Sequence, residues 1–186
     1  LSPETMDATW QQIVLEGNDV QVIKALDLLE PGIARLAFMR DVRAIKTRAL
    51  VAFHDSRKPR PLASLGGGVH RLLGLLLACH GAKGGLLLVD EIDTGLHYSV
   101  QTRMWELLTA WALQFDVQIF ATTHSLDCVR AFAEIAQRNN SSENENGERL
   151  AQVIRLGRRG DDALRAFLFE DPEAFEMVAQ DELEVR

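Results

Sequence analysis

Apolar residues recur at helical spacing in several stretches of the chain, and short unbroken or alternating apolar runs lie between them. Ser2-Pro3 offers an N-cap followed by a first-turn proline, and Met6, Trp10 and Ile13 then share one face. A second helix is expected over 19–29, with Val22, Leu26 and Leu29 inward and Pro31-Gly32 as its stop. The runs 33–39 and 44–53 read as paired strands, followed by a polar, proline-bearing loop at 55–61. Ser64-Leu65-Gly66-Gly67-Gly68 is a glycine-rich turn opening into an apolar helix over 70–79. After the breaker at 81–85, Leu86-Leu87-Leu88-Val89 shows no alternation, the pattern of a strand buried on both faces in a parallel sheet. A helix over 98–115 places Val100, Met104, Leu107, Leu108, Trp111 and Phe115 on one stripe. A short strand at 117–121 and a helix reaching about 137 complete a strand–helix–strand–helix order, which indicates a parallel α/β layer. Residues 138–149 are polar and aperiodic and read as a mobile loop. The segments 150–156 and 163–169 read as a hairpin around a turn at 157–162, and Asp171-Pro172 caps a last short helix.

Composition changes this picture in a few places. At 186 residues the chain is one domain's worth, or the larger part of one. A net charge of −7 argues against a broad nucleic-acid-binding face, which needs clustered Lys and Arg. Arg40, Arg43, Lys46 and Arg48, or Arg155, Arg158, Arg159 and Arg165, could form a local DNA-facing strip, although solvated strand edges are the plainer account. Cys79 and Cys128 sit in apolar helical contexts and read as reduced core thiols of a cytoplasmic protein. The apolar run 72–79 is too short to span a bilayer, and no signal peptide opens the chain. A first residue of Leu rather than Met suggests a fragment.

Three segments carry chemistry. Asp90 and Glu91 end the apolar run 86–89, and in open α/β sheets ligands bind beyond the C-terminal ends of the strands. A Mg²⁺ ion is held through one or two carboxylates plus phosphate oxygens, a task that suits Asp90. Glu91 could accept a proton from an attacking water, unless both acids merely cap the next helix and face solvent. His124, after the run 117–121, could donate to a terminal phosphate, and Ser125 reads as the N-cap of the helix that follows. Ser64 to Gly68 lets backbone N–H groups approach an anion at a helix N-terminus, although glycine-rich turns before helices are common. No zinc-ligand spacing and no G-x-S-x-G elbow is present.

Taken in order, SLGGG at 64–68, LLLVDE at 86–91, IDTGLH at 92–97 and FATTHS at 120–125 resemble the signature, Walker B, D-loop and switch segments of ABC-superfamily ATPase heads. Among these the chain looks most like the OLD-like, AAA-type branch of bacterial ATPases, related to RecF and SMC heads. The resemblance covers roughly residue 10 to 186 and implies an α/β, P-loop NTPase-like layered sheet with flanking helices, closed by a β-hairpin and a short helix. It implies a single ABC-type domain, of which this chain is the C-terminal part. Residues 1–60 lead in, 61–137 hold the core motifs, 138–149 form the loop, and 150–186 form the hairpin and cap.

The resemblance also implies roles. Asp90 would help hold Mg²⁺, Glu91 would be the catalytic base, and His124 would sense the γ-phosphate of ATP. Ser64, Gly66, Gly67 and Gly68 would contact ATP bound to a second protomer, with Asp93 and Thr94 at the same interface. SLGGG departs from the transporters' LSGGQ, which leaves open whether Ser64 or a glycine backbone meets the phosphate. No GxxxxGK[ST] loop occurs in the chain. A Walker A lobe would have to be supplied elsewhere, and the segment alone is expected to be inactive. The resulting expectation is a Mg²⁺-dependent ATPase working as an ATP-bound homodimer, without a membrane. The alternative is an ATP-gated module that assembles with DNA or an effector protein and hydrolyses slowly or not at all. Proximity of the chain's end to the hairpin argues against an integral nuclease domain.

Overall fold

Ser2 is extended and its hydroxyl accepts the Thr5 amide at 3.2 Å, while Pro3 takes the first helical position. The missing proline N–H costs nothing there, and helix α1 runs Pro3–Leu15 with Met6, Trp10 and Ile13 buried as the spacing predicts. Helix α2, Asp19–Asp27, turns Val22, Ala25 and Leu26 inward and ends two residues short of the expected stop. There the Asp27 carboxylate accepts the Gly32 amide at 2.7 Å, and Gly32, at φ +96°, swings the chain into the first strand. The computed structural model that these features belong to describes residues 1–41, 46–56, 58–140, 151–158 and 164–169. It divides into two compact units, 1–122 and 123–186.

In the first unit, β1 (Ile33–Asp41) and β2 (Lys46–Phe53) pair antiparallel, and β3 (Arg60–Pro61) adds to the edge of β2. Part of the expected loop at 55–61 is therefore strand, at an edge where proline's missing donor is tolerated. A 3₁₀ turn, Leu62–Leu65, leads into α3, Gly67–Gly81, which starts three residues earlier than expected and takes two glycines into its first turn. α3 is the spine of the unit and contacts α1, α2 and α4. Its inward side carries Val69, Leu72, Leu73, Leu75, Leu76, Leu77 and Cys79. Burial pushes the Cys79 thiol up to about 11, so it stays protonated, and both Cys79 and Cys128 are buried free cysteines.

Strand β4 (Leu86–Val89) and strand β5 (Gln118–Ala121) pair in parallel, Leu86 opposite Gln118 and Val89 opposite Ala121. Helix α4, Tyr98–Phe115, connects them. Its buried positions are Gln101, Met104, Trp105, Leu108 and Trp111, a stripe turned from the expected one, with Val100, Leu107 and Phe115 only partly covered. Gln101 reaches inward and donates to the Leu96 carbonyl at 3.5 Å. Asp116, left-handed at φ 54°, closes the helix.

Burial of β4 on both faces is not what the structure has. Leu87 is buried, but Leu86 is 52% exposed, Leu88 71% and, on β5, Phe120 49%. Four apolar residues in a row describe a strand suited to two covered faces, and among the described residues only one of those faces is covered.

One polar cluster joins the ends of α1, α3 and α4. His80, buried, meets the Glu16 carboxylate through Nε2 at 2.9 Å and stacks edge-on against Phe115 and Trp111. Lys83 donates to the same carboxylate and lies over the Phe115 ring. The hydrogen bond from Lys83, then that from His80, hold the Glu16 carboxyl below its ordinary value of 4.5. A depressed folded-state value means stabilisation that is present above about 4.5 and lost as the pH falls below it. Urea titrations between pH 7 and pH 3 should show the parent losing stability relative to Glu16→Gln over that acidic range; parallel curves would remove the cluster's role.

The second unit is built from α5, Leu126–Asn140, and the antiparallel hairpin β6 (Val153–Arg158) and β7 (Leu164–Phe169). Ser125 caps α5 as expected, its hydroxyl accepting the Cys128 amide at 3.3 Å. Ala133, Ala136 and Ala151 form a small core, packed by Phe132, Val153 and Phe169. Arg43, Arg159, most of the expected loop at 138–149, the hairpin turn and the closing helix after Asp171 lie outside the described residues. Among the described residues no helix is long and apolar enough to cross a membrane.

Candidate functional site

The parallel ladder continues one step past its strands. Thr122 donates its amide to the Val89 carbonyl at 2.9 Å, and its own carbonyl accepts the Ile92 amide at 3.0 Å. This clamps Thr122 against Asp90 and Glu91 at the C-terminal rim. The Thr122 hydroxyl donates to Asp90 Oδ1 and accepts the Glu91 amide at 2.9 Å. A single hydroxyl thus orients the first acid's carboxylate and the second acid's backbone.

Glu91 adopts φ 46°, a left-handed conformation for a residue with a side chain. Such a conformation costs on the order of 1–3 kcal/mol and persists where the surroundings over-determine it. Here they do. Arg71 of α3 donates through Nη2 to the Glu91 carbonyl at 2.8 Å and to the Asp90 carbonyl at 3.1 Å. Thr94 donates its amide to the Glu91 carbonyl at 3.0 Å and its hydroxyl to Glu91 Oε2, also at 3.0 Å. Asp90 and Glu91 are both exposed, so neither carboxylate bears a large desolvation penalty and both can meet a ligand from solvent.

The turn after Glu91 returns to the start of α3. Ile92 and Leu96 are buried anchors, Gly95 is left-handed at φ +78°, and the Leu96 amide donates to the Asp93 carbonyl at 2.9 Å. A methyl group on Gly68 would meet the Gly95 carbonyl at 3.5 Å and Leu96 Cδ2 at 3.6 Å, so the 93–96 turn lies against the glycine-rich helix start. Gly66, at φ +93°, is the N-cap of α3 and supplies no side-chain cap, and Gly66 and Gly67 are exposed. The amides of this first turn therefore form the anion-attracting end of a 15-residue helix. Ser64 is exposed but its hydroxyl donates to the Pro61 carbonyl at 2.6 Å.

Of the residues expected at the site, Asp90, Glu91 and Thr94 share one hydrogen-bonded turn, and Gly68 packs beside that turn. Asp93 is half-buried within it. Ser64, Gly66 and Gly67 precede Gly68 at the helix start. His124 is exposed and belongs to the second unit, two residues along the chain from Thr122. Sequence reasoning gave no role to Thr122 or Arg71. The available signals were a threonine directly after an apolar strand and the one residue of fixed charge in the helix GGVHRLLGLLLACHG.

The donor set suits a particular kind of cation. Among the described residues no group of three or more His, Cys, Asp or Glu could cage a metal. One hydroxyl-oriented, exposed carboxylate next to a second acid matches instead the sparse protein contribution that Mg²⁺ takes when phosphate oxygens and water complete its shell.

Residues 41–130, from the end of β1 into α5, match a family described as "AAA domain, putative AbiEii toxin, Type IV TA system". No curated protein matches the chain in sequence. A solved structure from work on "ATP-driven dimerization and DNA stimulated activation of SMC ATPases" is similar over 88% of this chain and 90% of its own, at 14% identity and a TM-score of 0.55. The matched stretch contains the glycine-rich helix start, the Asp90-Glu91 turn and the segment after β5. By fold, the chain is a mixed α/β structure of the P-loop NTPase type, similar to this SMC ATPase structure.

Proposed function

We propose that the chain is the C-terminal part of an ATPase head that closes as a homodimer around Mg–ATP and hydrolyses it to drive a conformational or signalling step in the cytoplasm. The observation that carries this reading is the Thr122-held pair Asp90 and Glu91 at the rim of the parallel strands, beside a glycine-rich helix start. Asp90 would hold Mg²⁺ through water, and the metal would neutralise charge on the phosphates. The Glu91 carboxylate, aimed by Thr94 and by its left-handed backbone, would take a proton from the attacking water. The amides of Gly66, Gly67 and Gly68 would meet the γ-phosphate of ATP held by the other protomer. The engaged hydroxyl of Ser64 favours the glycine backbone over that side chain as the contact. Asp93 and Thr94 would face the same interface, and His124 would report the γ-phosphate, a role that rests on its sequence context alone. DNA or an effector protein is the proposed recipient of the ATP-driven change.

The phosphate-gripping loop absent from the sequence would come from a further lobe. The bare side of β4 and β5, with Leu86, Leu88 and Phe120, supports a place for it, because parallel sheets are ordinarily covered on both faces. Phosphate release tests the whole reading. The purified chain should turn over no ATP, and the chain together with the segment bearing a GxxxxGK[ST] loop should do so only with Mg²⁺. Turnover by the chain alone, or turnover unaffected by chelation, would overturn it. Slow turnover with ATP-dependent capture of DNA or a protein would favour the gated module.

A further inference from the structure

Arg71 is out of character with its helix. It is the one residue of fixed charge in a largely apolar α3, and its guanidinium reaches the turn 19 and 20 residues later in the chain. An arginine fork ordinarily seeks a carboxylate or phosphate, and two carboxylates stand at this turn. Arg71 instead gives Nη2 to the two successive carbonyls of Asp90 and Glu91, at 3.1 and 2.8 Å. Among the described residues its Nε is buried without an acceptor, so the placement serves the turn rather than the arginine's own hydrogen-bonding capacity.

The turn needs that grip. Glu91 sits at φ 46°, where its side chain crowds its own backbone, and each of its polar groups is tied from a different direction. Thr122 holds its amide, Thr94 its carboxylate, and Arg71 together with the Thr94 amide its carbonyl. Two of these partners lie within the rim and its turn. Arg71 alone belongs to the helix that begins at the glycine-rich start, one helical turn after Gly67 and so on the same side of α3.

We propose that Arg71 is a positioning residue for hydrolysis, locking the left-handed turn that aims the Glu91 carboxylate and tying that aim to the helix whose first amides read phosphate. The inference rests on the ATPase reading and names the strap within it. Loss of the strap lets Glu91 relax toward ordinary backbone conformations, which misdirects the base, while the Asp90 carboxylate keeps its Thr122 hydrogen bond and the glycine amides keep their place at the start of α3. The effect belongs in kcat and not in KM.

The test uses the ATPase-competent protein, with Arg71→Met, which keeps an apolar stem, and Arg71→Lys, which keeps a charged donor on a shorter one. For Arg71→Met, kcat should fall by about 10–100-fold, the range for partners that orient a reacting group. The KM for ATP should stay within roughly twofold, as expected where only transition-state alignment is lost. Arg71→Lys should recover part of the loss. Amide exchange of the chain without nucleotide supplies an independent readout. In Arg71→Met the amides of Glu91, Ile92 and Thr94 should exchange faster while those of Leu76 and Leu77 stay protected. A parallel Glu91→Gln variant separates the failures. If Glu91→Gln turns over ATP normally, the ATPase reading has failed. If Glu91→Gln is inactive but Arg71→Met keeps the parent's kcat, loses only in KM, or leaves exchange at residues 91–94 unchanged, the strap is wrong on its own.

Discussion

Glu91→Gln in the ATPase-competent protein should lower turnover by about 10²–10⁴-fold, the contribution of a positioned general base. The substitution is nearly isosteric, and the amide oxygen can still accept the Thr94 hydroxyl that now bonds Glu91 Oε2 at 3.0 Å. The left-handed backbone, the Thr122 hydroxyl at its amide and the Arg71 grip on its carbonyl involve no side-chain atom of residue 91. Only the capacity to take a proton is removed. Because the side chain is exposed, stability should change by no more than about 0.5 kcal/mol. Nucleotide should still bind, so ATP-bound dimers should accumulate, visible by size-exclusion chromatography with light scattering. Turnover equal to the parent's would remove Glu91 from the reaction.

The reasons for this expectation were unevenly legible in the sequence. Ser2-Pro3, the spacing of Met6, Trp10 and Ile13, and Ser125 ahead of α5 report local rules, and the structure obeys them because each involves groups within about two helical turns. The parallel pairing of β4 and β5 follows from element order. Burial of β4 does not, since Leu86 to Val89 records what the strand is made to sit between and not which partners this chain contains. The stripe on α4 differs because it includes Gln101, a polar residue that an apolar pattern leaves out and that meets the Leu96 carbonyl inside. At the site, the two acids were visible as residue types in a suggestive place. Their control was not. The contacts from Thr122 and Arg71 join positions 19 to 32 residues apart, and several end on backbone atoms that every residue has. No pattern of side-chain types encodes a carbonyl as a target, and the positive φ of Glu91 runs against the propensity of glutamate.

Leu76→Ala should have the largest effect on folding of any single truncation along α3. Leu76 is 0% exposed in the middle of the helix that touches α1, α2 and α4, so removing its three outer carbons leaves a void with walls on several elements. Such walls relax only partly, and Leu→Ala at sites of this kind costs about 2–5 kcal/mol. Against a total of about 5–15 kcal/mol for a typical domain, that loss leaves a substantial unfolded population in mild denaturant. Urea unfolding followed by circular dichroism should show a lower midpoint with an unchanged slope. Leu88→Ala is the control. Leu88 looks equally core-like in sequence, yet at 71% exposure it should cost the isolated chain no more than about 0.5 kcal/mol. A cost for Leu76→Ala below about 1 kcal/mol would mean that α3 is not a close-packed spine. The site would then lose its rigid reference, because the Arg71 strap transmits the position of α3 to Glu91 only if the helix itself cannot yield.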